Sequence, residues 1–142
     1  MANAITVTPS RAARAMERPA RNLRAVLAAN AATSALAGVA GLVAAGWWAD
    51  ELGLPSVAVV RIVSAALVVF AVDVALVARR ATGRLRPAAL AISLVDLAWV
   101  VGTVAVLATV DLTTTGRLVA IVMGLGVLDF AALQLWFRSR LA

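Results

Sequence analysis

The chain has 142 residues, 63% hydrophobic and 14% charged, where soluble domains run about 45–50% apolar and about 25% charged. A mean hydropathy of +0.99 is more apolar surface than one core of this size can hide from water, so lipid is part of the solvent. The net charge of +6 comes with no Cys and no His, which excludes disulfides, thiolate metal sites and thiol or imidazole catalysis. The charges stand at the ends of long apolar runs rather than on an aromatic-interleaved basic face, so no nucleic-acid partner is expected.

In chain order, residues 1–22 form a basic segment with Arg11, Arg14, Arg18 and Arg21. This segment is expected to be a juxtamembrane arm on anionic headgroups. The apolar run after it is too long for a signal peptide and carries no cleavage signature. From residue 23 to 142 the chain reads as one domain with four apolar runs, at about 26–46, 57–78, 88–110 and 118–137. Each is near the ~20 residues of a membrane-spanning helix, and helix is the only open choice because a lone strand would strand its backbone groups in hydrocarbon. Gly53 and Pro55 break the first connection, Gly83 and Pro87 the second, and Thr113-Thr114-Thr115-Gly116 the third. Connections this short make neighbours antiparallel. The fold expected is therefore all-α, a four-helix transmembrane bundle in up-down-up-down order.

Orientation follows from Arg. The N-terminal Arg11, Arg14, Arg18, Arg21 and Arg24, the loop holding Arg79, Arg80, Arg84 and Arg86, and the C-terminal Arg138 and Arg140 together carry eleven of the thirteen arginines. That side is expected to be the cytoplasm, which places both termini on the cytoplasmic side of a bacterial inner membrane. Trp47 and Trp48 at the outer face, with Trp136 and Phe137 at the inner face, read as interfacial anchors. Arg61 and Arg117 at the outer helix ends read as snorkelling or pairing with Asp50, Glu51 or Asp111.

The halves repeat. Leu23-Arg24 and Leu85-Arg86 are 62 residues apart, while Arg61-Ile62-Val63 and Arg117-Leu118-Val119 are 56 apart, an offset that also carries Asp73 onto Asp129. Two parallel two-helix repeats are expected, related by an axis along the membrane normal.

Three acids interrupt the apolar helices. At the helical rise, Asp73 lies about 9 Å from Arg79, Asp129 about 13 Å from Arg138 and Asp96 about 15 Å from Arg86. Asn30, Thr33 and Ser34 enter at comparable depth on the first helix, and Trp99 lies well inside the third. Intramembrane acids normally face a bundle interior and have partners. The expectation is a polar layer of Asp73, Asp96, Asp129, Asn30 and Ser34, beside Trp99, that binds a proton, a cation or a small amphipathic ligand. The competing reading is a hydrogen-bonded cluster that only fixes helix packing, in an accessory or assembly subunit. Ladders of small residues (Ala37, Gly41 and Ala45; Ser34 and Gly38; Gly124 and Gly126) are expected to bring helices close, within the chain or between copies.

No Walker loop, Gly-x-Ser-x-Gly, His-Glu-x-x-His or dinucleotide fingerprint occurs. No catalytic residue, cofactor or metal is assigned, and a lipid-modifying or isomerase-like enzyme is the third reading. Membrane lipids, a second copy or another membrane protein are the partners expected. With Ser93-Leu94-Val95-Asp96-Leu97-Ala98-Trp99-Val100-Val101-Gly102 as its third helix, the chain resembles a group of uncharacterised small four-helix bacterial integral membrane proteins with Asp-x-x-Trp-x-x-Gly in that helix. The resemblance implies a fold and no activity. Small multidrug transporters are similar in size but carry a Glu in helix one, where this chain has Asn30.

Overall fold

The computed structural model describes residues 11–80 and 83–141, with side chains from residue 18 onward. The described residues are all helix and connection: α1 (Arg11–Val43), α2 (Ala45–Leu52), α3 (Val57–Arg80), α4 (Leu85–Thr109) and α5 (Thr114–Ser139). Four stretches are long and apolar enough to cross a membrane: Arg18–Val43 within α1, and all of α3, α4 and α5, with mean hydropathies of 1.7, 2.4, 2.2 and 2.1. Their outer surface is apolar too, with Val43 83% and Leu36 72% exposed. An apolar surface of this extent belongs in lipid or against another chain.

Five helices replace the four expected, because the first does not end in a loop after Gly46. The backbone leaves helical geometry only at Ala44 (φ −116, ψ 36). Hydrogen bonds from Ala44 N to Ala40 O (3.1 Å) and from Trp48 N to Ala44 O (2.9 Å) carry the helix through the kink into α2. Trp47 and Trp48 therefore stand inside α2, their rings edge to face at 4.8 Å. Gly53 ends α2 in the left-handed region (φ 74), and its N–H reaches back to Asp50 O, as glycine caps do.

Other boundaries also moved, for local reasons. The helix α1 takes in the arm from Arg11 onward, with Pro19 inside it; residues 1–10 lie outside the described residues. Helix α4 opens at Leu85, because Pro87 falls in its first turn, where a missing N–H costs nothing. Helix α5 opens at Thr114, because Thr113 is its N-cap and its hydroxyl accepts the Gly116 N–H at 2.9 Å.

Contacts between α1 and α3 run in opposite order along the two helices. Arg24 Nη1 donates to Ala78 O at 2.6 Å, while Gly38 lies against Ser64 and Val68, and Gly41 against Ser64 and Val60. Helices α4 and α5 are matched likewise, from Arg138 Nε donating to Arg86 O (3.1 Å) to Gly124 against Thr103. At the far end α2 meets α5: Thr113 N–H donates to Leu52 O, the Thr113 hydroxyl to Glu51 O, and Gly116 packs on the Leu52 carbonyl. The apolar core gathers Leu23, Leu27 and Ala31 with Val74, Ala78, Leu85, Ala89 and Ile92. It fills the end of the molecule where α1 begins and α3 stops.

Candidate functional site

Directly above that core lies a chain of buried polar groups. Asn30, one turn beyond Leu27, stands near the middle of the first span, and Asp96 near the middle of α4. Asn30 Nδ2 donates to Asp96 Oδ2 at 2.9 Å, and Gln134 Nε2 donates to the same oxygen at 2.9 Å. A carboxylate offers only acceptors, so both amide orientations follow from their partner. The remaining oxygens are then used in turn. Asn30 Oδ1 accepts the Ser34 hydroxyl at 3.3 Å, and the Ser93 hydroxyl shares its proton between Ala89 O (2.8 Å) and Gln134 Oε1 (3.2 Å). Asp96 is 2% exposed and Gln134 fully buried. Helical spacing builds the cluster: Asn30 and Ser34 are four apart on α1, and Ser93 and Asp96 three apart on α4.

On the side away from the core, the cluster borders a cavity of about 140 Å³. Ser34 and Asp96 give it one polar wall. The rest is apolar, chiefly Leu67 and Phe70 of α3, Trp99 of α4 and Val127 of α5. Ala66 and Val95, also at its lining, are exposed to the surroundings. A carboxylate that already holds two amide N–H groups can take a third donor from this cavity through its other oxygen.

The expected layer is thus formed in part. Asn30, Ser34 and Asp96 come together, and Trp99 lines the same cavity. Asp73 and Asp129 do not join them: both are exposed on the outer faces of α3 and α5, and neither bonds to another described residue. Only three of the four long helices give the cluster polar groups. Thr33 is also outside it, its hydroxyl turned back to the Ala29 and Asn30 carbonyls at 3.0 Å. Gln134 and Ser93 are members that the sequence reading passed over. Gln134 is the one amide in α5, and an amide inside an apolar span is a signal of the same kind as an acid. Arg61 and Arg117 are exposed at their helix starts.

The fold and site together describe a chain with four helices suited to a small multi-pass membrane protein. No protein-family model, curated protein or solved structure matches it.

Proposed function

We propose that this chain binds a small amphipathic ligand within the membrane, with a donor or cationic head at Asp96 and an apolar body among Leu67, Phe70 and Trp99. One observation carries the reading: a buried carboxylate, with Ser34 beside it, forms the one polar wall of a mostly apolar cavity. A cavity near 150 Å³ holds a guest of about benzene size, and aromatic rings beside a carboxylate favour an organic ammonium head. A bare inorganic cation is a poorer fit, since it wants several oxygen ligands while Asn30 and Gln134 turn their N–H groups toward Asp96.

The frame for this reading is an up-down-up-down bundle in a bacterial inner membrane, with both termini cytoplasmic and two parallel repeats. Arg asymmetry supports the sidedness. Burial supports the repeat: at the offset of 62, Leu23, Leu27, Asn30, Ala31 and Ser34 fall on Leu85, Ala89, Ile92, Ser93 and Asp96, and all ten are buried. At the offset of 56, Asp73 and Asp129 are both exposed.

The test uses Trp99 as the only indole, in a chain carrying Trp47→Phe, Trp48→Phe and Trp136→Phe in lipid nanodiscs. Short alkylamines should shift Trp99 emission saturably, matched alcohols less so, and Asp96→Asn should remove the difference. An emission unmoved by amines, alcohols, pH or monovalent cations overturns the reading.

A second reading, an assembly subunit, is favoured by Asp73 and Asp129. An acid facing lipid costs about 2.5–3.5 kcal/mol at a helix centre, and a partner chain that supplies a donor or a basic group removes that cost. Native gels of gently solubilised membranes should then show a complex larger than the monomer that Asp73→Leu with Asp129→Leu dissolves. A monomer in the unsubstituted protein excludes this reading.

A further inference from the structure

A second recess, of about 330 Å³, runs along the outside of α1 and α3, away from Asp96. Its walls are small and apolar: Ala28, Ala32 and Ala35 on one side, Val68, Val72 and Ala75 on the other. At one end it closes on Ala78 and Arg79. Arg79 is exposed, and Arg24 is held at the same end by its bond to Ala78 O. From Val68 to Arg79 the groove runs about 16 Å at the helical rise, close to the ~15 Å half-thickness of a bilayer core that one acyl chain spans.

We propose that this groove is a binding site for one anionic phospholipid, its acyl chain along the alanine and valine walls and its phosphate on Arg79. The small side chains leave a channel of chain width, and two guanidinium groups at one end give that channel a polarity. Arg meets phosphate through paired N–H groups in a matching plane. A second copy of the chain is the poorer occupant. Placed in the same orientation, it brings its exposed Asp73 about 9 Å deeper than Arg79, so the opposite charges do not meet.

Native mass spectrometry of the detergent-purified chain tests this with dimyristoyl phosphatidylglycerol and dimyristoyl phosphatidylcholine, which share tails and differ in headgroup charge. The monomer should retain one phosphatidylglycerol in preference to phosphatidylcholine. Arg79→Gln should cut that preference about fivefold, while Arg84→Gln, in the connection beyond α3, should leave it unchanged. Ala32→Phe, which fills the groove from its open side, should abolish retention of both lipids without lowering the melting temperature. Equal retention of the two lipids by the unsubstituted chain overturns the proposal. So does undiminished retention in Ala32→Phe, or a dimer that Ala32→Phe splits.

Discussion

Asp96 Oδ2 receives both amide donors of the cluster, and this one-sided geometry predicts how substitutions there behave. In Asp96→Asn the new carbonyl oxygen can take the place of Oδ2 and keep both bonds, leaving the NH₂ toward the cavity. Thermal unfolding in detergent should therefore change little. Asp96→Leu removes the shared acceptor and strands two buried N–H groups, costing about 2–4 kcal/mol. Gln134→Leu strands nothing as costly, because Asn30 still bonds Asp96 and Ser93 still bonds Ala89 O at 2.8 Å; its loss should be about 1 kcal/mol. Equal losses for Asp96→Asn and Asp96→Leu in the same melts would mean that charge, and not acceptor geometry, holds the cluster.

Among the elements, α1 meets the backbone of α3 at Gly38, where an added Cβ would stand 2.8 Å from the Ser64 carbonyl and from Val68 Cγ2. The backbone cannot yield as a side-chain tip can. Gly38→Ala should destabilise by about 1–3 kcal/mol, whereas Gly126→Ala, which meets nothing, should be neutral or slightly stabilising. A thermal-shift comparison of the two variants checks this, and equal effects would mean that α1 and α3 are not packed this tightly. The long spans were legible in the sequence because hydropathy and length need no tertiary information. The kink at Ala44 was not, since neither Gly nor Pro stands at that residue. Depth along a helix was legible for Asn30, Ser34 and Asp96, because the rise per residue is fixed. Which way Asp73 and Asp129 point was not: α3 and α5 are apolar all round, so no polar stripe marks the outside, and the rule that acids face inward had nothing to check it. Thr113 stands in a polar run that hydropathy marks as loop, yet its hydroxyl caps α5; an N-cap Thr two residues before a Thr-Gly step is a local signal that hydropathy hides.

For the molecule as a whole, the bilayer gives each of these features its weight. A hydrogen-bonded carboxyl at Asp96, an exposed Asp73 and an alanine groove ending in Arg79 take their weight from the membrane placement proposed above, in which the solvent is hydrocarbon. Each of them depends on that placement and on its sidedness. The chain has no Cys, so single cysteines report on it without background. Ser56, Arg84, Thr114 and Ser139 are all exposed and stand in connections or at helix ends, and each can be replaced by Cys and treated with a membrane-impermeant maleimide in intact cells. Ser56→Cys and Thr114→Cys should label at once, and Arg84→Cys and Ser139→Cys only after the cells are opened. Immediate labelling of Arg84→Cys or Ser139→Cys with Ser56→Cys and Thr114→Cys protected would contradict the sidedness, and labelling of all four in intact cells would contradict the membrane-spanning account itself.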